Sequence, residues 1–303
     1  YSIIYLAMKT KLLTLFIYFS SLILGQNVII VVIDGVRYSE SFGSAAKYIP
    51  YLYNDLKPLG TVFTNFRIAD EGNTSTNPGQ ASILTGTWQI IKNDGSEHPT
   101  KPTIFEYFRK EFSAKVTDCF IVAGKKKIEA LSYSTFVGYG SDFGASSNCF
   151  EGDNNIVYDS LITIMNKDHP KLMLVNFPTT DKYAHDSIWV DYINELRNVD
   201  ELIYQLWQKI QNDDFYKDNT TLFITSDHGR HKDNFKDHGD DCDGCEHIML
   251  LCVGRNIPKG ITNSNLHQQT DIAGTIGSLL GFKTPYAEGI ELFDSNHSNS
   301  TEK

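Results

Sequence analysis

NVIIVVIDG, residues 27–35, holds six consecutive apolar, β-branched residues at 28–33, closed by Asp34 and Gly35. Such a run is too short for a helix, and its apolar residues do not alternate with polar ones. It reads as a strand buried on both faces, as in a parallel sheet covered by helices. The same pattern recurs at 62–66, 116–122, 172–177, 222–225 and 248–253. Helical patterns lie between these runs, at 78–84, 104–112, 156–166, 193–211 and 271–280. In the fourth, Ile193, Leu196, Val199, Leu202, Ile203, Leu206 and Ile210 fall on one stripe, the face a helix lays on a sheet. Strand then helix, repeated, predicts an α/β fold: a three-layer sandwich with a mainly parallel sheet covered by helices on both faces.

In open parallel sheets ligands collect beyond the carboxyl ends of the strands. Asp34 follows the first run. Asp181 and, four residues later, His185 follow 172–177, and Asp227-His228 follow 222–225. Each of the three strands hands its end to a carboxylate, and Asp with His is a ligand set for Zn²⁺ or a similar divalent ion. Any one of them alone reads equally well as a cap or turn residue; the conjunction points to a metal centre. Further along the chain, Thr76 precedes Asn77-Pro78. Proline favours the first turn of a helix, so Thr76 is expected at a helix N-terminus, where backbone N–H groups attract anions. Either it is the nucleophile of a phosphoryl-transfer site, or Ser75 or Thr76 is simply an N-cap.

Composition narrows the classes. The chain has 303 residues, 41% hydrophobic and 21% charged, which excludes a disordered, collagenous or multi-span membrane protein. With 27 Lys and Arg against 37 Asp and Glu, the formal charge is −10, which argues against a nucleic-acid-binding groove. Residues 213–246 hold ten acids and four bases, and His228, His231, His238 and His247 lie in or beside them. Near the N-terminus, Met8, Lys9 and Lys11 precede an apolar run at 12–24, with Ser20, Ser21 and Gly25 at its end. This reads as a secretory signal peptide within residues 1–25, leaving no stable membrane span after cleavage and predicting a secreted or periplasmic protein. The remainder divides into one catalytic domain, 26–294, and a polar tail, 295–303. Export permits disulfides, and of the five cysteines Cys242 and Cys245 are expected to staple an Asp/Gly-rich loop, with Cys252 a buried thiol.

Together, IIVVIDGVR (29–37), TSTNPGQASILTG (74–86), DKYAH (181–185), ITSDHGRH (224–231), HGD (238–240) and QTDIAGTIGSLLGFKTPYAEGIELF (269–293) resemble the alkaline phosphatase superfamily. The likeness is nearest its nucleotide pyrophosphatase/phosphodiesterase-like branch and spans almost all of the chain after the leader. It implies two zinc ions, with Mn²⁺ as the other metal the ligands suit. Asp34, Asp227, His228 and the nucleophile Thr76 would hold one; Asp181, His185 and His238 would hold the other, with His247 the alternative to His238. His231 is left at the edge of the site or on the surface. The implied reaction is in-line attack by Thr76 on phosphorus, giving a phospho-threonine that water hydrolyses, with two ions about 4 Å apart clamping the oxygens. Asn77 N–H and Asn93 are candidates to hold a non-bridging oxygen. Among Lys125, Lys126 and Lys127, a lysine reaching the phosphate, Lys125 first, would favour a monoesterase or phosphonate hydrolase over a diesterase. Threonine cannot become formylglycine, so sulfatase chemistry of the usual kind is not expected, and Asn77 and Gly79 depart from the Thr-Phe-Pro-Asn of the phosphodiesterase branch. The expected partner is a small phosphate ester. A non-catalytic metal-binding module on the same fold is the other reading. Two divalent ions against three carboxylates would make an acidic protein locally attractive to phosphate.

Overall fold

A computed structural model describes residues 26–68 and 73–293. The leader expected at 1–25 and the tail at 295–303 lie outside the described residues. β1 (Asn27–Ile33) is fully buried and sits inside a nine-stranded sheet with β2 (Gly60–Arg67), β3 (Cys119–Ala123), β4 (Ser146–Cys149), β5 (Leu172–Phe177), β6 (Thr220–Thr225), β7 (His247–Gly254), β8 (Ile261–Asn263) and β9 (His267–Gln268). The order is β4-β3-β5-β1-β6-β7-β2-β8, with β9 also paired to β2. Only β7 runs against the rest, antiparallel to β6 and β2. The helices are α1 (Thr76–Thr85), α2 (Ile104–Phe112), α3 (Asn154–Asp168), α4 (Thr179–His185), α5 (Trp189–Gln211), a single turn α6 (Asp243–Glu246) and α7 (Asp271–Leu280).

β1 shows why there are three layers. Val28, Ile30 and Val32 enter one apolar cluster with Ile83 and Leu84 of α1, Phe105 of α2 and Ile276 of α7. Ile29, Val31 and Ile33 enter the other with Leu161 of α3 and Leu196, Val199, Ile203 and Leu206 of α5. A strand with period two therefore feeds two cores, and each buried aliphatic side chain contributes about 1.5–3 kcal/mol relative to exposure. The expected stripe of α5 is buried, including Ile193 and Ile210.

The run at 116–122 begins later than the sequence suggests. Val116–Asp118 form a tight turn in which Lys115 N–H donates to the Asp118 carboxylate at 3.0 Å, and the strand starts at Cys119. Cys242 and Cys245 form a disulfide, while Cys119, Cys149 and Cys252 are free, Cys252 fully buried. Among the described residues no helix is long and apolar enough to cross a membrane.

The topology positions the chemistry. β3, β5, β1 and β6 are neighbours and parallel, so their carboxyl ends form one row. Along it follow Lys125, Asp181, Asp34 and Asp227.

Candidate functional site

Asp34 leaves β1 through Gly35, whose φ of +69° lies in the left-handed region and whose Cβ position is 2.8 Å from Asp181 Oδ1, so a side chain there meets both strain and a clash. Asp34 is fully buried; its Oδ2 accepts from Asn176 Nδ2 at 3.0 Å and pairs with Lys125 Nζ at 2.9 Å. Asp227 is fixed by three donors: Gly35 N–H at 3.1 Å, its neighbour His228 N–H at 3.0 Å and Gln80 Nε2 at 3.0 Å. α4 carries Asp181 and His185 four residues apart on one face, with Nε2 of His185 3.4 Å from Asp181 Oδ1. His238 arrives from the 231–242 loop, its Nε2 3.1 Å from His185 Nε2 and 3.7 Å from Asp181 Oδ1. His228 stands between the two groups, 3.6 Å from Asp34, 3.8 Å from Asp227 and 4.0 Å from Asp181, and stacks on His238 at 3.9 Å. All seven expected ligands thus converge, Thr76 included, since Lys125 Nζ reaches both Thr76 Oγ1 (3.3 Å) and Asp181 Oδ2 (2.6 Å).

His247 goes elsewhere. It begins β7, stacks on Tyr38 at 4.2 Å and lies 2.9 Å from Thr64 O. His231 pairs with Asp240 at 3.0 Å, part exposed. Of the three lysines, Lys126 is exposed, Lys125 is partly buried among the carboxylates, and Lys127 Nζ bonds Asn93 Oδ1 at 2.9 Å. The Asn77–Asn93 expectation changes. Asn77 N–H donates to Asn93 Oδ1 at 2.9 Å, so that N–H is already engaged and Asn93 Nδ2 is the remaining amide donor of the pair. Neither Ser75 nor Thr76 caps α1 with its side chain; Ser75 Oγ turns to Asn73 Oδ1 at 2.6 Å.

Electrostatics follow from burial in close company. Burial and the charge of Asp34 raise Asp227 to about 6. Burial, the largest single influence, works against the charge of Asp34 and Asp181, but the Lys125 ammonium and His228, with Arg230 assisting at Asp181, together outweigh it and hold both below the ordinary carboxylate range. Lys125 in turn is desolvated, yet Asp34 and Asp181 keep it firmly charged. Burial and the neighbouring His228 push His238 down to about 2, so its ring is neutral near pH 7 and keeps a lone pair for a cation.

Whether the residues fit a metal can be read from unpaired atoms. Asp34 Oδ1 and His228 Nε2 are buried without a hydrogen-bond partner, although such atoms are nearly always paired. Ligand atoms of Asp34, Asp227 and His228 all lie within 4.8 Å of one another, as do those of Asp181, His228 and His238. The donor set and the facing orphans fit divalent cations.

Several supporting residues escape a reading of motifs. Asn176 is polar inside the apolar strand LMLVNF, a signal that was visible; Gln80 is one turn after Thr76; Gln269 Nε2 holds the Ser226 and Asp227 carbonyls at 3.0 and 2.8 Å. Arg230, fully buried, joins Asp181 to the carbonyls of Gly35, Phe235 and Lys236. Gly79 explains one departure from the phosphodiesterase pattern: a Cβ there would meet Asp227 O at 2.2 Å. Gly79→Ala is expected to cost about 1–3 kcal/mol by overpacking and to lower activity beyond that by displacing Asp227. Urea midpoints and initial rates on one preparation check it, and a variant equal to wild type in both refutes the close packing of α1 on Asp227.

The comparisons agree with this architecture. The family model described as the metalloenzyme superfamily matches residues 113–284, more than half of the chain, taking in Asp181, Asp227, His228 and His238. No curated protein is a match. Among solved structures, a phosphonate monoester hydrolase from Silicibacter pomeroyi superposes with a TM-score of 0.65 at 14% identity, covering 92% of this chain and 78% of that one. A phosphonate monoester hydrolase of Agrobacterium radiobacter gives 0.66 at 13%, covering 88% and 76%. A protein in the alkaline phosphatase superfamily from Vibrio parahaemolyticus gives 0.63 at 16%, covering 88% and 69%. At such identities the likeness speaks for the fold. With the family model spanning most of the sheet and three of the four strand-end residues, the chain belongs to the metalloenzyme superfamily and has its alkaline phosphatase-like fold.

Proposed function

We propose that this protein is an exported, metal-dependent hydrolase of phosphate esters with Thr76 as nucleophile. The observation that carries the reading is the position of the Thr76 hydroxyl. It is buried at the first turn of α1, has no capping role, and lies 3.3 Å from an ammonium that also contacts Asp34 and Asp181. Asp34, Asp227 and His228 would hold one cation, and Asp181, His185 and His238 the second, zinc being the metal the donors suit best. When bound, such ions lower the pKa of the hydroxyl and offset the charge of the transferring group.

The chain's own residues do the rest. Thr76 Oγ1 gives up its proton to solvent and attacks phosphorus in line as the bond to the ester oxygen breaks, and the alcohol leaves with a proton from solvent. Water then cleaves the phospho-threonine, giving phosphate and restoring the hydroxyl. Lys125, with Asn93 Nδ2, supplies donors for the non-bridging oxygens. A phosphate monoester carries one more negative charge than a diester, and a partly buried lysine beside the nucleophile favours the monoester.

The test compares p-nitrophenyl phosphate with the bis-ester on one preparation. The monoester is expected to turn over faster, and Lys125→Met to cost it at least about tenfold more than the diester, the scale of a charge-assisted hydrogen bond. A faster bis-ester, or an equal loss on both, moves the assignment to diesters. Two bound metals with no cleavage of either ester would mark a binding module.

A further inference from the structure

Away from the centre just described, four donors of other kinds meet. His231 Nε2 is 3.0 Å from Asp240 Oδ2, Cys245 Sγ is 3.3 Å from Asp240 Oδ1, and one ligand atom from each of His231, Asp240, Cys242 and Cys245 lies within 4.8 Å of the others. The disulfide between Cys242 and Cys245 uses neither His231 nor Asp240, and a bridge across so short a loop removes little chain entropy. It does not account for the convergence. We propose that, with the cysteines reduced, Cys242, Cys245, His231 and Asp240 form a zinc site, and that disulfide and bound zinc are alternative states of one clip.

The local structure suits this. Cys242 stands before α6, with Cys245 at its third position, and Cys245 N–H donates to Cys242 Sγ at 3.1 Å, a bond that stabilises a thiolate. Two sulfurs, one imidazole and one carboxylate complete a four-coordinate set of the kind zinc accepts. In such a set the sulfurs lie about 3.8 Å apart, from Zn–S bonds of about 2.3 Å, and the Cα separation of 5.1 Å allows this by side-chain rotation. Two thiolates and Asp240 around Zn²⁺ leave one negative charge, next to Arg67 and Lys232, both of which pair with Asp243 between the cysteines. The exchange balances. A dithiol reductant is oxidised to its own disulfide as Cys242–Cys245 gains two electrons and two protons, and Zn²⁺ then displaces both thiol protons.

The clip also reaches the centre. Asp240 follows His238 by two residues, and its carbonyl accepts from Thr74 Oγ1 at 2.8 Å; that oxygen accepts Gly239 N–H at 2.9 Å, while His238 Nδ1 is 2.7 Å from Thr74 O. Zinc at the clip would anchor the segment that presents His238.

The experiment titrates Co²⁺ into the full chain before and after treatment with a dithiol reductant. Reduced protein is expected to show a thiolate-to-cobalt charge-transfer band in the near ultraviolet, bleached by zinc in excess of what the Asp/His centre takes up and absent from oxidised protein. The Asp/His centre has no sulfur and cannot give it, so the band is expected to survive in Thr76→Ala whatever becomes of the catalytic assignment. Cys242→Ser with Cys245→Ser is expected to abolish it. His231→Ala, which removes a part-exposed ligand, is expected to weaken cobalt binding at least about tenfold. No band from reduced protein, or a band that persists in the double serine variant with Cys119, Cys149 and Cys252 present, overturns the proposal.

Discussion

Thr76→Ala is expected to lower turnover of p-nitrophenyl phosphate by at least about a thousandfold, the scale of a lost nucleophile, with the fold intact. Thr76 is 1% exposed, and among the polar side chains of the described residues its hydroxyl contacts the Lys125 ammonium alone. Alanine removes that oxygen and one methyl group at the start of a helix, where alanine is at least as good a former, so the melting temperature should move by only a few degrees. Thr76→Ser is the companion variant: it keeps the oxygen and should retain measurable turnover. Alanine activity within tenfold of wild type would transfer the nucleophile to another group and leave Thr76 as a helix-start residue.

Removal of metal is expected to have a comparable effect. Dialysis against a chelator should abolish ester cleavage, and stoichiometric zinc should restore it. The same step should be visible without substrate, because an ion that binds only the folded chain at a hundred times its dissociation constant adds about 2.7 kcal/mol to stability. Asp227→Asn should lose most of that increment. Its carboxylate is buried against Asp34, and the amide keeps the bond to Gln80 or Gly35 without the charge a cation needs. Full activity after exhaustive chelation, with metal absent by elemental analysis, would sink the metal-dependent reading.

How far the sequence revealed this centre depended on which physical signal each residue carried. Asp34, Asp181 and Asp227 were legible because a parallel sheet exposes strand ends, and apolar runs mark where strands stop. β4 was not legible: Ser-Ser-Asn-Cys pairs at the sheet edge through its backbone and shows no apolar pattern. Lys125 stands first of its three lysines, but nothing in that run marks it for the interior of the site. Its burial is set by where β3 ends beside β5 and β1, information that lies in the pairing and outside the run of lysines. Arg230 gave no signal, since the Asp181 carboxylate and the Gly35 carbonyl that it joins lie far away in the chain. His238 and His247 separate only once the 231–242 loop is seen to fold back on Thr74 while His247 opens a strand.

The row of four neighbouring strand ends has a consequence for how such a protein can change. Adjacent strands stand about 4.8 Å apart, so Lys125, Asp181, Asp34 and Asp227 are spaced by the sheet's backbone pairing, the stiffest ruler in the molecule. The overhanging segments that carry none of the site residues, 94–103 and 128–145, are not part of that ruler. Leaving-group preference can therefore be rewritten by exchanging those overhangs, while the spacing of the reacting groups stays as the sheet sets it. Retargeting and catalysis are separable here.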